Sequence, residues 1–201
     1  MRALKYLIFA IFIAGCGVDH MPMSSNSQIS ELEISQITYS GTNIEKATQA
    51  YKNKDCASSM KFLNLACDDD EMQACYQLGH MHQNGKCTGA NLAKAREFYE
   101  KGCAKDHMNS CANLSGFYKD GKGGVEQDYE KAFELAKKAC EDGIARACNN
   151  VGYFYWKGQG VDLDRTMAKE YFANACKIDP DAQYCKNKDL INDDSSKQNE
   201  E

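Results

Sequence analysis

Apolar residues in the middle of the chain recur three and four positions apart, which is the spacing of one buried face of an α-helix. One kind of segment carries an alanine three positions before an apolar pair; these pairs are Phe98-Tyr99, Leu135-Ala136 and Tyr171-Phe172, with Phe62-Leu63 in the same phase. A second kind carries a leucine or valine four positions before a histidine or tyrosine and ends at a glycine, namely Gly85, Gly121 or Gly158. The two kinds alternate, which predicts pairs of α-helices joined by glycine-bearing turns.

The cysteines repeat with the same period as the helix pairs. A cysteine is followed by a second one after eight residues in three places and after nine in a fourth: Cys67 and Cys75, Cys103 and Cys111, Cys140 and Cys148, Cys176 and Cys185. The first cysteines of successive pairs lie 36 or 37 residues apart. Self-similarity at this period is typical of a solenoid, in which each unit packs only against its neighbours.

Small residues occupy the interior of the first helix of each predicted pair, at Gly79, Ser115 and Gly152. A glycine in a helix interior costs about 1 kcal/mol relative to alanine. We therefore expect a neighbouring helix to pass so closely at these points that a larger side chain would clash. The alanines of the second helices are expected on the other side of the same crossing; they are Ala95, Ala132 and Ala168.

The turns carry a more specific signature. Residues 121–132 and 158–168 resemble the glycine turn and second-helix start of Sel-one-like repeats, which are relatives of the tetratricopeptide repeat. The cysteine pairs repeat with the same period as these turns. In this respect residues 44–190 are similar to the cysteine-rich Sel-one-like proteins exported by certain Gram-negative bacteria. The resemblance implies an all-α fold, a right-handed α-solenoid of about four helix-turn-helix repeats stapled by disulfides. The turn between Lys52 and Asp55 lacks glycine, which implies a degenerate first unit.

In that resemblance each cysteine pair spans the loop between the second helix of one unit and the first helix of the next. We therefore expect four disulfides, each worth roughly 2 to 3 kcal/mol: Cys67 with Cys75, Cys103 with Cys111, Cys140 with Cys148 and Cys176 with Cys185. Cys56 and Cys87 fall near the starts of adjacent second helices, and we predict a fifth bridge between them. The alternatives are two free thiols or a metal site of Cys75, His80, His82 and Cys87, although histidines two positions apart point away from each other on a helix.

Charge and cysteine content narrow the class of protein. The chain has 24 basic and 29 acidic residues and a formal net charge of -5, which argues against a nucleic-acid partner because phosphate binding requires an excess of lysine and arginine. Eleven cysteines indicate metal or redox chemistry in a reducing compartment and a disulfide framework in an oxidising one. The compartment therefore decides what the cysteines do.

The N-terminus predicts export. Arg2 and Lys5 precede an uncharged apolar run, residues 7–14, that is too short to span a bilayer. Residues 13–16 resemble the bacterial lipobox, which implies that residues 1–15 are a lipoprotein signal peptide and that Cys16 is lipidated. The alternative is ordinary secretory cleavage with Cys16 as a spare thiol. We expect the protein either in the cell envelope, at the periplasm or outer membrane, or secreted. In the envelope it would be attached to the membrane by its lipid anchor only.

Polar segments flank the repeats. Residues 16–43 are rich in serine, threonine, asparagine and glutamine without a helical apolar period, and we interpret them as a flexible tether. Residues 191–201 are interpreted as a disordered polar tail. The predicted organisation is thus signal peptide, tether, solenoid over residues 44–190, and tail.

The resemblance also raises an enzymatic hypothesis. Some cysteine-rich Sel-one-like proteins have been described as penicillin-binding proteins or β-lactamases, and such enzymes need a serine one helical turn before a lysine. Ser58 and Lys61 have that spacing, but about one such match is expected by chance, and no Ser-Asp-Asn or Lys-Thr-Gly stands beside it. The favoured interpretation is an exposed polar helix face, with no cofactor and no metal.

A binding role has a broader physical basis. First helices line the concave face of such a solenoid, and residues 153–156 are four consecutive aromatics that cannot all point inward at 100° per residue. We select Trp156, Tyr153 and Phe117 as candidate ligand-binding residues; the alternative is that they pack against the neighbouring unit. The leading hypothesis is an envelope-associated binding module for a protein, a peptide or a peptidoglycan fragment. β-Lactam binding or hydrolysis is the alternative, and a structural role the third.

Overall fold

The computed structural model describes residues 38–185, and over that range the chain forms eight α-helices and no strands. The helices are α1 (Asn43–Lys52), α2 (Cys56–Asp68), α3 (Met72–Asn84), α4 (Leu92–Ala104), α5 (Met108–Asp120), α6 (Tyr129–Glu141), α7 (Ala145–Lys157) and α8 (Arg165–Ile178). Each helix packs chiefly against the helices before and after it. The all-α repeat solenoid predicted from the sequence is therefore confirmed. The predictions for residues 1–15, Cys16 and residues 191–201 lie outside the described residues.

Capping residues define where the helices begin and end. Each second helix (α2, α4, α6 and α8) starts after an aspartate or asparagine whose side chain accepts a backbone N–H of the first turn; these are Asp55, Asn91, Asp128 and Asp164. Each of α3, α5 and α7 ends at a glycine with φ between 62° and 67°, the left-handed conformation that glycine adopts without strain. These are the glycines that marked the predicted helix ends.

Helix crossings explain the small residues. A Cβ atom added to Gly79 would lie 2.6 Å from the ring of Tyr99, and one added to Gly152 would lie 2.8 Å from the ring of Phe172. At Ser115 the hydroxyl donates a 2.7 Å hydrogen bond to the carbonyl oxygen of Ala132. The predicted close approach exists, but at both glycines the opposing group is an aromatic ring and not the alanine that we expected. Ring volume on the second helix is the physical reason that only glycine fits there.

Five disulfides cross-link the described part of the chain. Four join the end of one second helix to the start of the segment that follows it, and they pair Cys67 with Cys75, Cys103 with Cys111, Cys140 with Cys148 and Cys176 with Cys185. The fifth joins Cys56, at the start of α2, to Cys87, in the turn between α3 and α4. Because the first three lie between units, each covalently fixes one helix pair to the next.

Candidate functional site

The aromatic run on α7 divides between the core and the surface. Phe154 is buried, and Tyr155 stacks on Tyr171 of α8 with ring centres 5.6 Å apart. Tyr153 is 49% exposed and presents its edge to a ring of α8. Trp156 is half-buried, and the guanidinium carbon of Arg165 lies 4.2 Å from its ring centre. Tyr153 is therefore the most accessible of the three candidate binding residues.

Phe117 is a correction to the sequence analysis. It is only 4% exposed and packs edge-on against the buried ring of Tyr99, with centroids 5.7 Å apart. Its equivalents in the neighbouring units, Met81 and Phe154, are buried too. Phe117 lies on the side of α5 that faces the other helices, so the prediction that it contacts a ligand is wrong.

A polar surface runs along the side of α3, α5 and α7 that does not face the other helices. We call it the first-helix face and define it by the residues at four equivalent positions of α3, α5 and α7 that are not buried: Gln73, Tyr76, Gln77, His80, Asn109, Asn113, Gly116, Arg146, Asn149, Asn150 and Tyr153. Six of these side chains are carboxamides, and none is a carboxylate. Sequence reasoning missed this surface, although the amides recur at fixed offsets from the second cysteine of each pair.

Hydrogen bonds join neighbouring first helices across this face. The guanidinium group of Arg146 on α7 donates to the side-chain oxygen of Asn113 at 2.6 Å and to the main-chain oxygen of Asn109 at 3.0 Å, both on α5. Between α5 and α3, the imidazole Nε2 of His107 lies 3.2 Å from the side-chain oxygen of Gln73. The face is therefore held by polar contacts that leave other amide groups available.

His107 has a structural role at the edge of the face. As the N-cap of α5, its Nδ1 accepts the backbone N–H of Ser110, a role that requires the neutral ring. Burial lowers the pKa of His107 below its ordinary value. Burial, together with the charge of Lys94, also lowers the pKa of His82, which stacks on Phe98 and has a buried Nδ1 without a hydrogen-bond partner among the described residues.

These two histidines predict an acid-sensitive domain. Each binds its proton less tightly in the folded state than in the unfolded chain, where the pKa is about 6.5. Below about pH 6.5 the unfolded state therefore binds more protons, and the free energy of unfolding falls as the pH is lowered toward the reduced pKa values. Urea unfolding at pH 7, 6 and 5 measures this fall.

A double variant separates the histidines from other groups. His107→Asn keeps an N-cap side chain that does not titrate, and His82→Tyr introduces the residue found at the equivalent positions Tyr118 and Tyr155. The variant should fold and lose most of the decline between pH 7 and 5. An unchanged decline would show that other groups cause it.

The hydrogen bonds of Ser58 are those of a helix cap and do not include Lys61. The Ser58 backbone N–H donates to the Asp55 carboxylate at 3.0 Å, and within residues 38–185 no hydrogen bond joins Ser58 to Lys61. Burial raises the pKa of the Asp55 carboxyl, but hydrogen bonds from Ser58 and Tyr39 outweigh it and leave the pKa below its ordinary value. Ser58 thus belongs to a helix cap.

The metal-site alternative is wrong in this structure. Cys75 and Cys87 are both in disulfides, with Cys67 and Cys56 respectively, so neither supplies a thiolate ligand. His82 is buried against Phe98. In the described part of the chain no group of three or more histidine, cysteine, aspartate or glutamate side chains is arranged to hold a metal ion.

Comparison with protein families identifies the repeats. The model of the Sel1 repeat matches residues 73–107, 109–144 and 145–179, which together make up more than half of the chain. No curated protein matches. None of the helices among residues 38–185 has the length and apolar character needed to cross a bilayer.

Solved structures agree with the fold. A protective antigen of uropathogenic Escherichia coli with an SLR fold, c5321, is 26% identical, with a TM-score of 0.65, over 67% of this chain and 30% of its own. A Sel1 repeat protein from Oxalobacter formigenes is 22% identical, with a TM-score of 0.62, over 69% of this chain and 55% of its own, and shows the fold alone. The Helicobacter pylori cysteine rich protein B is 28% identical, with a TM-score of 0.52, over 66% of this chain and 94% of its own.

Disulfides also locate the folded domain. Structural disulfides persist in oxidising compartments and are rare in the cytosol, and this domain carries five. The similar Helicobacter pylori protein is described as cysteine rich as well. The domain is therefore extracytoplasmic.

Proposed function

The chain belongs to the Sel1 repeat family, and we propose that it is an extracytoplasmic binding module whose first-helix face holds an extended peptide segment of a partner protein. Repeat solenoids present extended surfaces that serve this purpose. The observation that carries the proposal is the row of carboxamide side chains at equivalent positions of successive units.

Carboxamides suit the main chain of a peptide. Each one has an N–H donor and a carbonyl acceptor, and an extended peptide presents the same two groups in alternation along each edge. Gln77, Asn113 and Asn150 occupy one equivalent position, and Gln73 and Asn109 occupy another. Recognition of this kind depends on the peptide backbone and only weakly on its side chains.

Side chains at the α7 end of the face would add an apolar anchor. Tyr153 is exposed, and Trp156 lies one helical turn further along. Aromatic side chains often dominate the binding energy of interfaces because they bury a large area with few rotatable bonds. The peptide would therefore be held by amides along its length and by these rings near α7.

We also propose how the module is attached to the cell. Residues 1–15 would direct export, Cys16 would carry the lipid, and the tether would end before Tyr39, because Tyr39 donates a hydrogen bond to Asp55 and α1 begins at Asn43. The domain would then work in the cell envelope at a distance from the membrane set by that tether.

The test uses a peptide without charged groups. An acetylated and amidated decapeptide of alternating serine and alanine should bind the oxidised protein with a Kd in the micromolar to millimolar range, and N-methylation of alternate peptide bonds should weaken binding about tenfold, because it removes backbone donors. The Asn149→Ala, Asn150→Ala double variant should weaken binding by a similar factor. Chemical shifts of a 15N-labelled protein give both affinity and location.

Asn64→Ala is the matched control, since Asn64 is an exposed asparagine on a second helix, and it should bind as wild type. Equal binding of the N-methylated peptide would contradict the proposal. Binding of a muramyl peptide but not of the decapeptide would replace the protein segment by a cell-wall ligand.

A further inference from the structure

We infer that a cavity between α1 and α3 is a pocket for the C-terminal residue of the bound peptide, taking an apolar side chain together with the free carboxylate. This inference rests on the proposed function and adds to it a specific subsite. The cavity has a volume of about 350 Å³. Its lining comes from α1, α2, α3 and the turn after α3: Ala47, Thr48, Tyr51, Ser59, Leu63, Tyr76, Gln77, His80, Met81 and Lys86.

The cavity lies where the first unit has a smaller side chain than the second unit. In the second unit the fully buried Tyr99 of α4 fills the space between α3 and α5, where its ring lies 6.1 Å from that of Tyr76 and 5.7 Å from that of Phe117. The equivalent residue of α2 is Leu63, which is smaller and also buried. The space between α1 and α3 is left open, and Leu63 is part of its lining.

The lining has an apolar floor and aromatic walls. Ala47, Leu63 and Met81 are buried beneath the opening. Rings surround them, with Tyr51 46% exposed and Tyr76 partly buried. Ligand pockets are commonly apolar concavities with a few polar groups that fix orientation. This arrangement fits one aliphatic or aromatic side chain.

The charge of the lining selects an anion. Lys86 is the one lysine or arginine of the lining, and no aspartate or glutamate lines the cavity, although the chain has 29 of them. Among residues 38–185 no carboxylate forms an ion pair with Lys86. An occupant that is both apolar and anionic therefore complements the cavity, because its carboxylate can pair with the Lys86 ammonium group, which has no carboxylate partner in the described part of the chain.

The position of the cavity identifies the occupant as the end of a peptide. Gln77 belongs to the first-helix face and also lines the cavity, so the two surfaces are continuous. α1 is the first helix of the described solenoid, and a segment lying across α7, α5 and α3 reaches the cavity last. A C-terminal residue supplies the carboxylate and the apolar side chain from one position, which orients the peptide with its C-terminus toward α1.

The experiment compares an acid with its amide. The serine-alanine decapeptide is extended by a C-terminal leucine and prepared as the free acid and as the amide, and both are titrated into the oxidised protein. We expect the acid to bind about tenfold more tightly, with chemical shift changes at Tyr51, Tyr76 and His80. Lys86→Glu should abolish this preference. Lys137→Glu, which changes an exposed lysine of α6, should leave it intact.

The outcomes separate this pocket from the binding face. The pocket would be overturned by equal affinities of the acid and the amide, or by an acid preference that survives Lys86→Glu. In either case binding of the amide peptide still tests the first-helix face. Preference for the acid with insensitivity to Asn149→Ala, Asn150→Ala would support the pocket and contradict the face. Tyr51→Ala removes a wall of the pocket, and an unchanged acid affinity in this variant would also overturn the inference.

Discussion

Reduction of the five disulfides is expected to unfold the helical domain at 25 °C. In the chain-entropy model a bridge that closes eight or nine residues contributes about 2.5 kcal/mol, and one that closes 31 residues contributes about 3.5 kcal/mol. The total is on the order of 10 kcal/mol, which is comparable to the whole net stability of a typical domain. A solenoid one repeat thick has few long-range contacts to compensate.

Circular dichroism at 222 nm before and after reduction measures this loss, with complete reduction verified by mass. Two double variants measure the contribution of single disulfides. Cys56→Ala with Cys87→Ala removes the disulfide that closes the longest loop, and Cys103→Ala with Cys111→Ala removes a disulfide between units. The first pair should lower the free energy of unfolding by about 3 to 4 kcal/mol. The second should broaden the transition, because the units on either side uncouple. Retained helicity and a cooperative transition after full reduction would contradict this expectation.

The second large effect is expected for Tyr99→Ala, which should destabilise the domain by about 3 to 5 kcal/mol. The side chain of Tyr99 is fully buried between α3 and α5, and its ring lies against Gly79. Its hydroxyl donates a 2.8 Å hydrogen bond to the side-chain oxygen of Gln83. Burial raises the pKa of Tyr99, so the hydroxyl remains a donor at neutral pH. Truncation removes the ring contacts and leaves a cavity in the core.

Tyr99→Phe is the matched control and should cost only about 0.5 to 1.5 kcal/mol, the worth of one hydrogen bond. A double-mutant cycle tests the crossing itself. Gly79→Ala should destabilise the wild-type protein because its Cβ meets the ring, and it should cost much less in the Tyr99→Ala background. Urea unfolding measures all four proteins. Additive effects of Gly79→Ala and Tyr99→Ala would show that the ring is not what requires the glycine.

Helix pairing was predictable because two independent signals have the same period. The apolar spacing gave the helices, the glycines gave their ends, and the cysteines gave the register between units. The sequence did not predict that the ring of Tyr99 would face Gly79. The position of Tyr99 is occupied by different residues in successive second helices, namely Leu63, Tyr99, Ala136 and Phe172. A small residue on one helix faces a large ring on the next, as at Gly79 with Tyr99 and Gly152 with Phe172. This relation becomes visible only in the three-dimensional structure.

The binding surface was harder to predict than the fold. Phe117 was assigned to the surface from its aromatic character, whereas its equivalence to Met81 and Phe154 places it in the core. The amide positions carried a readable signal, since they keep a fixed distance from the cysteines. The cavity carried none, because it depends on the placement of α1 against α3, and side-chain size at one position does not reveal it: Ala136 of α6 is smaller than Leu63 and is fully buried.

The positions of the disulfides also determine how far the domain can be stretched. A pull on the two ends of a solenoid separates its units at the joints, and here the joints between units are covalently closed. The Cys103–Cys111 and Cys140–Cys148 bridges each withhold about 25 Å of contour length, and the Cys56–Cys87 bridge, whose loop includes Cys67 and Cys75, withholds about 100 Å. Oxidation thus keeps the joints between units closed under load, so that extension has to come from the helix pairs within the units.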